Sequence, residues 1–165
     1  MQKTVSVIIP CRNEEKYIEK CIRSILSSDY PQHLLSIYVC DGLSTDRTVE
    51  IIEKIASAHT NVHLLKNEMK TTPYALNLGL KKSTADVKII LGAHSEVEAD
   101  FIVENIKALE QDEDIGCSGG VLENVYENKT SRLIGKAMSS SFGVGNAHFR
   151  TGAKAGYVDT VAFGA

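Results

Sequence analysis

Long hydrophobic stretches are missing from this chain. No apolar run approaches the ~18–20 residues that span a bilayer. The chain enters Val5-Ser6-Val7-Ile8-Ile9 with neither a cationic lead nor a small-residue cleavage site. Neither a membrane span nor a secretory leader is expected. Cysteines are few and badly spaced for a metal: Cys11, Cys21, Cys40 and Cys117 form no C-x-x-C pair. That argues against zinc and for reduced, mostly buried thiols in a cytoplasmic protein. Excess positive charge is also missing. Lys plus Arg number 18 against 21 Asp plus Glu, a formal net charge of −3, so nucleic acid is not an expected partner.

Two glycine-rich signatures are absent as well. The segment after the first apolar run is Pro10-Cys11-Arg12-Asn13-Glu14-Glu15. It has no glycine, so a backbone cradle for a dinucleotide pyrophosphate is excluded. No G-x-x-x-x-G-K-[ST] occurs, which excludes a P-loop nucleotidase. The G-x-G-T-R loop of a nucleotidyltransferase is missing too.

What is present suits one ordinary globular domain. The 165 residues are 43% apolar and 24% charged. A chain of this size buries roughly 68–70% of its unfolded surface, enough for a core without staples. Short apolar runs at 5–10, 35–40, 62–65 and 87–91 read as buried strands. Between them lie helical patterns. Tyr17, Ile18, Cys21, Ile22, Ile25 and Leu26 share one face, with Asn13 as the expected cap. Val49, Ile52, Ile55 and Ala56 share another, with Ser44 or Thr45 as the expected cap. Pro73 opens a third helix running to about Lys82, and 100–109 forms a fourth. Residues 115–126 read as extended and 131–140 as helical. Four alternations of strand and helix predict an α/β fold, a mostly parallel sheet with helices on both faces. Ligands of such sheets bind beyond the carboxyl ends of the strands, here segments 10–15, 40–46, 66–72 and 92–98.

Three further stretches suggest chemistry. Gly116-Cys117-Ser118-Gly119-Gly120 matches the hydrolase elbow G-x-S-x-G, for which Glu123 or Glu127 and His148 would complete a triad. The competing reading is a glycine-rich strand end where two backbones pack closely. The fourth loop, Gly92-Ala93-His94-Ser95-Glu96-Val97-Glu98, places an imidazole and two carboxylates where a divalent cation can bind. Residues 142–156 interleave glycines with Asn146, His148, Arg150 and Lys154, the composition of a plain surface loop or of one that closes over an anion.

Val7-Ile8-Ile9-Pro10-Cys11-Arg12-Asn13-Glu14-Glu15 resembles the opening strand of family 2 glycosyltransferases. Asp41-Gly42-Leu43-Ser44-Thr45-Asp46-Arg47-Thr48 is similar to their second-strand motif, Asp-(Asp or Gly)-x-Ser-x-Asp-x-Thr. Ala75-Leu76-Asn77-Leu78-Gly79 is similar to their Ala-x-Asn-x-Gly helix. The resemblance is good over about residues 4–110 and thinner beyond, where 158–165 looks like the start of the acceptor side. It implies a GT-A fold and an inverting transfer from a nucleotide sugar, usually a UDP-sugar, to a saccharide or lipid-linked acceptor in surface or exopolysaccharide synthesis.

By the same resemblance, Pro10 and Arg12 flank the nucleoside and Glu14 lies in their loop. Asp41 accepts a hydrogen bond from the base, Lys70 contacts the nucleotide, and Ala93 lies in the donor loop. The usual Asp-x-Asp metal loop falls at Gly92-Ala93-His94. His94 thus stands at the position that binds manganese or magnesium, and Glu96 is a substitute ligand. Gly92 replaces the first Asp, which predicts weakened metal dependence; Ala93-His94 resembles the Asp-Ala-His loop of the exopolysaccharide subgroup. The base that deprotonates the acceptor comes from beyond the metal loop. No Glu-Asp pair stands there, and no role is assigned to Asp159, so the chain reads as the donor-binding part of a longer transferase acting at the inner face of a membrane. The alternative is a non-catalytic nucleotide-sugar-binding domain.

Overall fold

Strand β1 (Val5–Cys11) lies at the heart of a parallel sheet. The computed structural model describes residues 2–126, 128–138, 156–158 and 161–165. β1 pairs on one side with β2 (Leu35–Asp41) and on the other with β4 (Val87–Ile90). β3 (Val62–Lys66) flanks β2, so the order is β3-β2-β1-β4. Val5 stands opposite Leu35 and Cys11 opposite Asp41, so the first two strands end together. Because side chains alternate across the sheet, Val5, Val7, Ile9 and Cys11 join the cluster that gathers α1 (Ile18–Leu26), α2 (Thr48–Ala58) and α4 (Phe101–Leu109). Ile8 and Cys40 face the other way, with Ala75 of α3 (Thr72–Lys82). Helices on both faces are what the alternation predicted.

α1 buries Ile18, Cys21, Ile22 and Ile25, the i, i+3, i+4, i+7 stripe of a helix with one face inward. α3 begins with Pro73 in its first turn, where the missing amide costs nothing. Its close approach to the sheet depends on small residues. A Cβ on Gly79 would stand 2.4 Å from Ile8 Cγ2, so the Ala75/Gly79 pair makes the groove that receives β1. The small residues of the Ala-x-Asn-x-Gly pattern are thus a packing device, while its Asn77 is exposed.

The caps differ from expectation. Asn13 is not at a helix start: it is left-handed, φ 57°, and α1 begins five residues later. Ser44 and Thr45 do not cap α2 either. The Asp46 carboxylate takes the Thr48 amide at 3.0 Å and the Thr48 hydroxyl at 2.6 Å, an anion at the positive end of the helix. Residues 115–126 are not a regular strand; Gly120 makes one antiparallel bridge with Ala162. Helix α5 spans Lys129–Met138, slightly ahead of the expected span. Among the described residues, no helix is long and apolar enough to cross a membrane.

Candidate functional site

The carboxyl ends of β1 and β2 turn into two loops stitched to each other. The Asn13 amide donates to Ser44 Oγ at 2.8 Å, and the Glu14 amide to Thr48 Oγ1 at 2.8 Å. The Glu15 amide donates to Asp46 Oδ2 at 3.2 Å. In return, Asn13 Oδ1 accepts the Thr45 amide at 2.8 Å and Glu15 Oε2 the Arg47 amide at 3.0 Å. The amide of Gly42 closes the seam onto the Cys11 carbonyl at 2.9 Å. Left-handed backbone at Asn13 and Leu43, both φ 57°, turns the amides toward their partners; an asparagine tolerates that region at low cost.

Asp41 sits under this seam and is 4% exposed. Its Oδ1 accepts the Ser44 hydroxyl and, at 3.8 Å, the Cys11 thiol; its Oδ2 accepts the Ser44 amide at 3.1 Å. The Asp41 carbonyl takes the amide of Asn67 at 2.7 Å. Buried Asn67 in turn donates its Nδ2 to the Thr71 carbonyl at 3.0 Å. That turn sets Lys70 in the left-handed region, φ 60°, with its side chain exposed. Arg12 is exposed as well, above Gly42. Neither cation joins an ion pair among the described residues. Pro10 is half-buried near the carboxyl end of β1.

Helix α1 and the turn that follows it pin the loop after β4. Cys21 Sγ meets the Gly92 carbonyl at 3.6 Å, Ser24 Oγ accepts the Val97 amide at 3.1 Å, and the Asp29 amide donates to the Ala99 carbonyl at 2.8 Å. Ala93 is buried and His94 is exposed. The carboxylate facing His94 is that of Glu14: Nδ1 lies 3.8 Å from Glu14 Oε1. Glu96 instead bears on Cys21, whose thiol burial first, then that carboxylate, pushes up to about 12. Burial likewise pushes Cys40 to about 11 and Cys11 higher still, Asp41 adding to the latter. These three thiols are buried and free, as expected; Cys117 is exposed. Among the described residues, no three His, Cys, Asp or Glu side chains gather as a metal cage. His94 and Glu14 offer two donors.

One match along the sequence decides the family. The sequence model described as Glycosyl transferase family 2 matches residues 6–163. The chain belongs to glycosyltransferase family 2. A dolichyl N-acetylglucosaminyl phosphate diacetamidodideoxyglucuronosyltransferase of Methanococcus voltae is 33% identical over 97% of this chain and 51% of its own length. The succinoglycan biosynthesis protein ExoA of Rhizobium meliloti is 29% identical over 89% of this chain and 44% of its own. Among solved structures, a Pyrobaculum calidifontis mannosyltransferase in complex with GDP-Man and Mn2+ superposes with a TM-score of 0.69 at 28% identity. It covers 74% of this chain and 36% of that one. Staphylococcus aureus TarS in complex with UDP gives 0.67 at 22% identity, over 76% of this chain and 37% of that one, a likeness of fold. This glycosyltransferase chain thus spans about half, or less, of the length of the relatives named.

The hydrolase elbow is not a site. Ser118 is buried, and its hydroxyl donates to Asn105 Oδ1 at 2.8 Å. Its backbone exchanges two hydrogen bonds with Ala165, and a Cβ on Gly119 would stand 2.6 Å from the Ala162 carbonyl. Close backbone packing explains Gly119, whereas a Cβ on Gly116 would meet nothing within 4 Å and one on Gly120 only the Phe101 ring at 3.7 Å. The 161–165 segment also brings Phe163 beside Gly92, a neighbour no local pattern announced. Asn13, Ser44 and Asn67 lie in the segments expected to face a ligand, but no site role was assigned to them; their turn-forming chemistry was the local hint. Asp159, Glu127, His148 and residues 142–155 lie outside the described residues.

Proposed function

We propose that this chain is the donor-binding part of an inverting glycosyltransferase that moves a sugar from a UDP-sugar to a saccharide or lipid-linked acceptor. The observation that carries the reading is the buried Asp41 carboxylate at the β1–β2 seam, with the exposed Arg12 and Lys70 on the loops after β1 and β3, neither in an ion pair among the described residues. A carboxylate accepts a nucleobase N–H, and free cations offset a diphosphate. Pro10 and Arg12 flank the nucleoside, and Ala93 floors the donor loop. His94 and Glu14 would hold a divalent cation together with diphosphate oxygens. Magnesium-type sites commonly use few protein donors plus phosphate, and imidazole can bind manganese, though carboxylates suit it better. When bound, the cation offsets charge on the departing diphosphate. Glu96 remains a secondary candidate.

In the reaction, the acceptor hydroxyl oxygen bonds to the anomeric carbon as the bond from that carbon to the diphosphate oxygen breaks. The nucleoside diphosphate leaves, and the hydroxyl proton passes to a carboxylate base. Buried free thiols support placing the reaction in the reducing cytoplasm. The M. voltae relative, named for a dolichyl-phosphate-linked acceptor, supports a lipid-linked acceptor and work at a membrane face.

UDP-sugars added to this chain should raise its melting temperature, and the full-length protein should release UDP. His94→Ala should lower the Mn2+ response of donor binding; an unchanged response removes His94 from the metal role. Binding without UDP release by the full-length protein would instead support a non-catalytic domain, a reading favoured by Gly92 standing where the family resemblance places the first Asp of the metal loop.

A further inference from the structure

The acceptor capacity of Asp41 can be counted. A carboxylate offers about four lone-pair sites, two on each oxygen. Oδ1 receives the Ser44 hydroxyl and the Cys11 thiol, which fills it. Oδ2 receives the Ser44 amide at 3.1 Å, which leaves one site. The polarity of the Ser44 hydroxyl is settled by its other neighbour. The Asn13 amide donates to Ser44 Oγ at 2.8 Å, so the single hydroxyl proton is free to go to Asp41. Ser44 is half-buried and Asp41 buried, so the count is enforced where water does not readily replace a lost partner.

We infer that Ser44 and Cys11 determine the base preference of the donor site by leaving Asp41 able to accept one hydrogen bond. The inference rests on the reading of Asp41 as the nucleobase contact. Uracil presents a single ring N–H between two carbonyls, and one free site on Oδ2 satisfies it. Guanine presents a ring N–H and an amino group side by side and needs both carboxylate oxygens. With Oδ1 filled, one guanine donor is buried without a partner, a loss that costs about tenfold in affinity. Ser44 is a positioning residue: it touches Asp41, not the donor.

The test is titration of UDP and of GDP, at one Mn2+ concentration, into this chain and its variants. The wild type should prefer UDP over GDP by about tenfold, the scale of one unsatisfied buried donor. Ser44→Ala frees a site on Oδ1 and should narrow the UDP:GDP ratio several-fold (~5–10, from the same hydrogen-bond scale). Ser44→Thr keeps the hydroxyl and should restore the ratio. Cys11→Ala frees the same oxygen without touching the seam and should narrow the ratio too, which covers the case of an unstable Ser44 variant. A wild type that prefers GDP, or a ratio unmoved in both alanine variants, overturns the inference. Asp41→Ala separates the two levels. If it loses UDP while the ratios of the other variants stay fixed, only this inference falls. If it binds UDP as the wild type does, the nucleobase reading of Asp41 falls with it.

Discussion

Replacing Gly79 with alanine tests the claim that α3 is seated by its small residues. The added Cβ would lie 2.4 Å from Ile8 Cγ2, 3.2 Å from Ile8 Cγ1 and 3.3 Å from Cys40 Sγ. Carbon pairs prefer about 3.5–4.0 Å, so the first contact overlaps by more than about 1 Å. Ile8 is fully buried in the central strand, and its β-branch leaves little torsional escape. Overpacking of this kind costs ~1–3 kcal/mol. Alanine returns about 1 kcal/mol through its better helix propensity, and the Gly79 backbone is outside the left-handed region. The net expectation is a loss of ~1–2 kcal/mol, the difference of those two ranges weighted to the severe overlap. In a domain of this size that lowers the melting temperature by roughly 2–8 °C. Calorimetry or denaturant unfolding reads it directly. Ile8→Ala removes the clashing methyl, and in that background Gly79→Ala should become neutral or stabilising. A single variant as stable as the wild type, or the same loss with Ile8 absent, would refute the groove.

Other outcomes follow from the seam and its surroundings. Burial pushes the Asp46 carboxyl up, but hydrogen bonds from the Thr48 hydroxyl and amide and the Glu15 amide outweigh it and hold it below its ordinary 3.8. Its stabilising effect is therefore complete above that ordinary value and lost as pH falls through the lower folded one. Asp46→Asn should flatten the acid limb of a stability–pH curve there, and an unchanged limb would contradict the network. Asp86, held low first by the Thr4 amide and then by its hydroxyl, acts in the same sense. Of the four thiols, Cys117 alone should react quickly with an aromatic disulfide at neutral pH; rapid labelling of Cys11, Cys21 or Cys40 would contradict their burial. Ser118→Ala should cost about 0.5–2 kcal/mol through the lost bond and the stranded Asn105 acceptor, with UDP affinity unchanged. A collapse of UDP affinity at unchanged stability would reopen Ser118 as a site residue.

The layers of this fold were legible because they rest on local periodicity. The apolar run from Val5 to Pro10, the α1 stripe and Pro73 each report their structure within a dozen residues. The motif residues Asp41 and Arg12 could be placed at strand ends for the same reason. The pairings that make the site are non-local. Nothing near Glu14 announces His94, eighty positions on, as the imidazole its carboxylate faces across two loops. Asn13 is a good cap by composition, yet its side chain meets a stronger demand: the Thr45 amide in the neighbouring loop. Residues 115–126 have the apolar content of a strand, but what they meet is a short segment from 161–165, giving one bridge instead of a ladder.

That meeting has a consequence for how the chain is made. β4 is an outer strand of the sheet, and its Ile90 amide donates to the Gly164 carbonyl at 3.3 Å. A ribosome synthesises Gly164 seventy-four residues after Ile90, the difference of their numbers. At ordinary rates of about 5–20 residues per second, the edge waits seconds for its cover. During that interval Val87, Ile89 and Ile90 form an open edge on a nascent sheet, with Lys88 the one charge within the strand. An unpaired apolar edge recruits other strands. Lys88 is the one charge that this strand sets against such pairing before Gly164 arrives.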